Sequence, residues 1–143
     1  FPIWSLIVRD PRLNPIKRNS TNDEFVLNID VAPTIVATAG DKIPEAMQGK
    51  DFSPLYLKDK SPKWRTEFYY EHPVVLNEKR IPASEALVTH HDKYIYWPNY
   101  NFEEYFDLRK DPMEEHNAIS NKEYSSAISV IKEQFNKLKQ LAK

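Results

Sequence analysis

The hydrophobic positions change their spacing along the chain, and this change predicts where helices and strands lie. An apolar run over residues 3–8, rich in β-branched and aromatic types, predicts a strand buried on both faces. Apolar residues then recur at steps of three and four over residues 30–39, which predicts a helix. Asn28 or Asp30 can cap the start of this helix, and Gly40 can follow its end.

From Trp64 onward the pattern favours β-structure, because aromatic and β-branched residues dominate short runs. Two of these runs predict a hairpin across His91, Asp92 and Lys93. The predicted strands cover residues 65–71, 85–90, 94–97 and 105–108.

The C-terminal segment predicts a long amphipathic helix. Ser120 to Glu123 forms a capping box at its start. One face is apolar, with Tyr124, Ala127, Ile128, Ile131, Phe135, Leu138 and Ala142, and the other carries Lys132, Glu133, Lys137 and Lys139. Packing onto a sheet is the ordinary use of such a stripe, and binding a partner is the alternative. The expected fold is therefore α+β, with a small antiparallel sheet of about four strands packed by the long C-terminal helix.

Composition excludes several functional classes. The 143 residues have a formal net charge of −1, which argues against a dedicated nucleic-acid binder. With no cysteine, disulfides, thiolate metal sites and cysteine nucleophiles are excluded. The only two glycines are isolated, so no glycine-rich phosphate loop is possible. No apolar stretch approaches the roughly 20 residues of a membrane span.

Candidate chemistry is sparse. The four histidines show no zinc-binding spacing, and the neighbours His90 and His91 should point to opposite faces of a strand. Glu71 and His72 end a predicted strand and enter a loop that later carries Arg80. Histidine and arginine together suit an anionic ligand, because arginine donates bidentate hydrogen bonds to oxyanions. A charged surface loop is the alternative interpretation.

The order of several short motifs resembles the sulfatase family. The segment Asn28-x-Asp30-x-x-Pro33-Thr34 is followed by Ala39-Gly40, and then by Met47-Gln48-Gly49-Lys50. The match continues through Trp64-Arg65, Phe68-Tyr69-Tyr70-Glu71-His72, Ser84-Glu85-Ala86-Leu87, Lys93-Tyr94-Ile95, Tyr105-Phe106-Asp107-Leu108, Asp111-Pro112, Glu115 and Asn117. The segment from Ile7 to Arg12 is similar to the family's strand before the first helix.

The resemblance implies a parent enzyme that hydrolyses sulfate esters, of a carbohydrate or of a small aryl or alkyl alcohol. Sulfatases use a formylglycine made within a Cys/Ser-x-Pro-x-Arg motif, and a divalent cation, usually calcium, held by Asp and Asn. This chain has no cysteine, and Ser61-Pro62 has the wrong spacing for that motif. We therefore expect no catalytic residue, metal ligand or cofactor in this chain, and no activity from it alone.

The resemblance also implies a division of the chain. Residues 1–62 would be the end of the main α/β sulfatase domain, including the strand at 3–8 and the helix at 30–39. Residues 63–143 would be the C-terminal subdomain, which closes one side of the substrate pocket with Glu71, His72 and Arg80. The expected partners are the remaining N-terminal sulfatase domain and a sulfated substrate, without nucleic acid or a membrane span. The resemblance alone suggests a periplasmic or secreted location.

Two alternatives stay open at this point. A phosphodiesterase or phosphonate hydrolase of the same superfamily would share this C-terminal region. A stand-alone carbohydrate-binding module would instead expose an array of aromatic rings, namely Tyr69, Tyr94, Tyr96 and Trp97. Burial of those rings under the C-terminal helix would favour the sulfatase subdomain.

Overall fold

The computed structural model of the protein describes residues 6–73 and 80–142. They form two compact units, one ending at Arg65 and the other beginning at Thr66. The first unit contains helices α1 (Val31–Thr38) and α2 (Ser53–Leu57). The second contains strands β1 (Glu67–His72), β2 (Ser84–Thr89), β3 (Asp92–Trp97) and β4 (Phe102–Asp107), followed by helix α3 (Ser125–Leu141). No helix in the described residues is long and apolar enough to cross a bilayer.

The strand predicted over residues 3–8 is not found in the part that the structure describes. Residues 3–5 lie outside the described residues, and Leu6, Ile7 and Val8 have no strand pairing. Ile7 is 91% exposed. A buried strand needs neighbours on both sides for its backbone hydrogen bonds, and the first unit has no other strand among its described residues.

Helix α1 begins after a 3₁₀ turn at Asn28–Asp30 and lies close to the predicted range. Asp30 does not cap this helix with its side chain. Its buried carboxylate instead accepts the backbone N–H groups of Leu27 and Lys50, each at 2.8 Å, and it pairs with the Arg65 guanidinium. Asp30 thus connects the start of α1 to two later segments of the chain.

Thr34 and Gly49 complete this connection. The Thr34 hydroxyl donates to the Asp30 carbonyl (2.8 Å) and accepts the Phe52 N–H (3.0 Å). Gly49 passes so close to Ile29 that a Cβ atom there would lie 2.0 Å from the Ile29 carbonyl oxygen. The segment that contains Met47, Gln48 and Gly49 is therefore held against the N-terminus of α1 by backbone contacts that exclude any side chain at position 49.

The end of α1 follows the predicted rule for a glycine cap. Gly40 has a φ of +83°, and the Asp41 N–H donates back to the Val36 carbonyl at 3.2 Å. A left-handed residue just past the last helical residue allows this bond, and glycine adopts that conformation without a Cβ penalty.

The second unit is a four-stranded antiparallel sheet in the order β1-β2-β3-β4. The predicted α+β fold is confirmed. One face packs against α3 through the buried side chains of Leu87, Tyr94, Tyr105, Ile131 and Phe135. The opposite face has a smaller cluster of Ala86, Ile95 and Phe106.

The turn between β2 and β3 is tighter than predicted. Residue Thr89 ends β2 and Asp92 begins β3, so that His90 and His91 form the turn. The Thr89 hydroxyl oxygen accepts the N–H groups of His91 (3.1 Å) and Asp92 (2.9 Å), which stabilises a two-residue connection.

Helix α3 carries the predicted apolar stripe onto the sheet, with two differences at its ends. Asn121, and not Ser120, caps the entry, because its side chain accepts the Glu123 N–H at 3.0 Å. Ala142 is exposed after the last helical turn. Lys132 and Lys139 reach back to the sheet, where they pair with Glu103 (2.5 Å) and Glu85 respectively.

Candidate functional site

The residues predicted to bind substrate lie at the end of the sheet where β1 finishes. Glu71 and His72 are the last two residues of β1, and both are exposed. Successive residues of a strand point to opposite faces. Glu71 lies on the α3 face, where its carboxylate accepts the Tyr69 hydroxyl at 3.2 Å. His72 lies on the other face, opposite Ser84 of β2.

Arg80 is exposed and follows residues 74–79, which the structure does not describe. Arg80 and Ala83 precede β2, and the Ala83 N–H donates to the Asn99 side chain in the β3–β4 turn at 3.2 Å. Among the described residues, no hydrogen bond or ion pair joins Glu71, His72 and Arg80 to one another. His72 therefore lies at the end of the sheet where β2 begins, on the face opposite α3. Glu71 lies on the α3 face.

One feature of this end of the sheet was not predicted. Trp97 of β3 lies opposite Phe102 of β4. Both are on the same face as His72, because the register from β1 to β4 keeps this face continuous. The Trp97 indole N–H donates to the Glu104 carboxylate at 2.7 Å. Only the register between strands reveals this grouping, and spacing along the chain does not.

The tyrosines on the α3 face are structural. Tyr94 is 2% exposed and donates to Glu103 at 2.6 Å, and Lys132 donates to the same carboxylate. Burial, together with the hydrogen bond to Glu103, raises the pKa of Tyr94 far above its usual range. Burial also acts to raise the pKa of Glu103, but its hydrogen bonds from Lys132 and Tyr94 outweigh this and lower it. Tyr94 therefore stays a protonated donor.

Three rings of the aromatic array that a stand-alone carbohydrate-binding module would expose lie on the α3 face, whereas Trp97 is half-buried on the opposite face. Tyr69, Tyr94 and Tyr96 pack against the cluster that α3 covers. Phe135 of α3 makes edge-on ring contacts with Tyr69 and Tyr94, at centroid distances of 5.6 and 5.0 Å. This arrangement favours the sulfatase subdomain over the module.

One group of side chains within the described residues could in principle hold a metal ion, namely Asp111, Glu115 and His116. The two Asp111 carboxylate oxygens already accept the N–H groups of Glu115 (3.0 Å) and His116 (2.9 Å), which stabilises the turn after Pro112. His116 would supply a nitrogen ligand, whereas calcium takes oxygen ligands. These residues therefore do not fit a calcium site.

Comparisons with known proteins agree with the fold. A family model described as N-sulphoglucosamine sulphohydrolase, C-terminal, matches residues 4–141. The chain belongs to this family. The predicted resemblance to the C-terminal region of a sulfatase is thereby confirmed.

Curated relatives of this chain include proteins named as sulfatases. An N-acetylglucosamine-6-O-sulfatase of Bacteroides thetaiotaomicron is 32% identical over 84% of this chain and 22% of its own length. An arylsulfatase of Clostridium perfringens is 28% identical over 81% of this chain and 23% of its own length. The chain therefore spans less than a quarter of these curated relatives.

A solved structure supports the same assignment. It shows a protein in complex with its substrate D-glucosamine-2-N,6-O-disulfate, and it is 25% identical to this chain with a TM-score of 0.70. The match covers 78% of this chain and 23% of that protein.

Proposed function

We propose that this chain is the C-terminal part of an enzyme that hydrolyses sulfate esters of carbohydrates. The observation that carries the proposal is the family match over residues 4–141, joined to an N-acetylglucosamine-6-O-sulfatase among the relatives. We assign residues 1–62 to the end of the main α/β domain and residues 63–143 to the C-terminal subdomain. The exposed apolar side chains of the first unit support this division, because such residues need a larger partner to cover them.

The formylglycine and the calcium ion implied by the family belong, in this proposal, to the remaining N-terminal part of the parent. The absence of cysteine supports this, and so does the poor fit of the Asp111 group to a calcium site. The role of this chain is to support that domain and to close one side of the substrate pocket.

Within that role, His72 and Arg80 are our candidates for contact with the anionic substrate. Both are exposed, and both belong to segments that meet at one end of the sheet. An imidazole and a guanidinium can donate hydrogen bonds to sulfate or carboxylate oxygens. Glu71 was predicted with them, but it points to the α3 face, where Tyr69 holds it. We therefore give Glu71 a positioning role at the strand end.

Turnover by the full-length parent tests the function. We expect sulfate release from glucosamine 6-sulfate and from a chromogenic aryl sulfate, and no turnover by the 143 residues alone. A full-length enzyme that cleaves only phosphonate or phosphate esters would support the phosphodiesterase or phosphonate hydrolase alternative. Turnover of a sulfate ester by this chain alone would contradict the assignment of the catalytic groups.

Substitution tests whether His72 and Arg80 contact the substrate. In the full-length enzyme, His72→Ala and Arg80→Ala should each lower kcat/KM for the carbohydrate sulfate about tenfold, the usual effect of losing one hydrogen bond to a charged group. Arg109→Ala is a matched control, because this exposed arginine pairs with Asp107 at the opposite end of β4. An unchanged kcat/KM in both the His72→Ala and the Arg80→Ala enzymes would show that these residues do not contact substrate.

A further inference from the structure

A row of four side chains crosses the whole sheet at the end where β1 finishes. His72 lies opposite Ser84, and Trp97 lies opposite Phe102. The β2–β3 register pairs Glu85 with Tyr96, so one further pair places Ser84 opposite Trp97. Residues directly opposite each other share a face of the sheet. These four residues, called here the aromatic row, therefore stand side by side away from α3.

The aromatic row combines a half-buried Trp97, which packs on the side chains beneath it, with an exposed Phe102. The next residues inward on the same face are Ala86 and Ile95, which are 0% and 2% exposed, so the sheet beneath is closely packed. The Glu104 carboxylate holds the Trp97 indole N–H at 2.7 Å and fixes that ring. Phe102 is 50% exposed, which is unusual for a phenylalanine on a packed face. A ring that is already fixed loses little conformational entropy when it contacts a ligand.

We propose that the aromatic row is a platform for one pyranose ring of the substrate, and that Phe102 and Trp97 are specificity-determining residues. This inference rests on the proposed function, and it adds two contacts to those proposed for His72 and Arg80. Adjacent strands lie about 4.8 Å apart, close to the width of a single sugar ring, so one ring can cover both side chains. The C–H face of a sugar matches an aromatic ring, while its hydroxyl groups need polar neighbours.

The polar members of the row favour a sugar over an apolar protein segment. His72 lies two strands away from Trp97, or about 10 Å, where its imidazole can reach a substituent of the bound ring. Ser84 adds a hydroxyl group between them, although it is only 4% exposed. Arg80 lies three residues before Ala83, whose N–H donates to the Asn99 side chain in the β3–β4 turn, and this brings a cation to the same end. Aromatic rings beside donors for an anion suit a sulfated sugar.

The test compares two sulfate esters in the full-length enzyme. Phe102→Ala should lower kcat/KM for glucosamine 6-sulfate about fivefold, the typical effect of one aromatic contact. It should leave kcat/KM for ethyl sulfate, which has no ring, unchanged. Phe102→Tyr should retain activity on both esters. Tyr100→Ala is the matched control, because Tyr100 is 60% exposed on the same hairpin but lies outside the row.

Three results would overturn the platform. These are an equal loss on both esters, no loss on the sugar ester, or the same loss in Tyr100→Ala. Calorimetric titration with glucosamine 6-sulfate measures binding without turnover, so it distinguishes failure of the platform from failure of the proposed function. If the wild-type enzyme turns over no sulfate ester, the proposed function fails. The platform still stands if the sugar binds and Phe102→Ala weakens that binding, and it falls if the wild type does not bind or both proteins bind equally.

Discussion

Asp30 carries a carboxylate with 0% exposure, so its charge must be offset within the first unit. Four N–H groups do this: those of Leu27 and Lys50 in the backbone and two of the Arg65 guanidinium. A buried ion pair adds little net stability compared with apolar residues of the same size, but removing one partner leaves the other unpaired. Asp30 is therefore a residue whose loss should be costly to stability.

We expect Asp30→Asn to lower the free energy of unfolding by about 3 kcal/mol, because the Arg65 charge loses its partner and an amide cannot accept all four donors. Urea denaturation followed by tryptophan fluorescence measures this, since Trp64 donates to the Phe25 carbonyl within the same unit. Asp59→Asn is the control. The Asp59 side chain is 96% exposed in its pair with Lys17, so its loss should be undetectable. Equal effects of the two substitutions would contradict the role of Asp30.

The same carboxylate predicts a dependence on pH. Burial alone raises the pKa of Asp30, but the hydrogen bonds from Arg65, Leu27 and Lys50 outweigh it, so the pKa in the folded protein lies below its ordinary value. A lowered pKa gives stability that is complete above the unfolded pKa of about 3.9 and is lost as the pH falls through the folded pKa. The difference in unfolding free energy between wild type and Asp30→Asn should therefore be smaller at pH 3 than at pH 7. A difference that grows on acidification would contradict this sign.

Helix α3 shows what periodicity predicts and where it stops. The stripe from Tyr124 to Leu138 faces the sheet as the spacing of apolar residues requires. Lys132 and Lys139 were assigned to the solvent face, yet both reach back across tyrosine rings to glutamates on the sheet. Lysine stems are long enough to cover apolar surface while the ammonium group finds a partner. The pattern of residue types along the helix does not predict that these lysines extend back to the sheet.

The candidate site in the sheet was likewise only partly predictable from the sequence. His72 and Arg80 could be selected from residue types, because an imidazole and a guanidinium near a strand end suit an anion. The grouping of Phe102 and Trp97 with His72 could not be predicted, because it depends on how all four strands pair. A shift of one residue in register would move them to the other face.

We expect Phe135→Ala to destabilise the second unit by about 4 kcal/mol, because it removes a buried ring and leaves a cavity between Tyr69 and Tyr94. Val130→Ala, on the same helix but 63% exposed, should cost less than about 0.5 kcal/mol. Thermal unfolding followed by near-ultraviolet circular dichroism compares them, because the tyrosines packed on Phe135 give the signal. Similar transition temperatures for the two variants would show that α3 does not depend on this contact.

At the scale of the whole molecule, the first unit exposes more apolar surface than its own residues can cover. Ile7, Ile29, Val31 and Ile35 are all exposed, and α1 carries two of them on one side. Soluble proteins rarely leave contiguous apolar patches open, and such patches usually mark an interface. Since the chain spans less than a quarter of its relatives, we expect the rest of the parent to cover this surface.

Ile35→Asp tests that expectation, because a residue that is 64% exposed here should behave as a buried one in the parent. In the full-length enzyme we expect it to lower stability by about 3 kcal/mol, the effect of burying an unpaired charge. The isolated chain should self-associate through these exposed apolar side chains, and the same substitution should reduce that self-association in sedimentation velocity. Leu141→Asp is the control, because Leu141 is 74% exposed at the end of α3 and should change neither measurement. A full-length Ile35→Asp enzyme as stable as wild type would mean that this face of α1 stays in solvent, and the first unit would then not be the end of a larger domain.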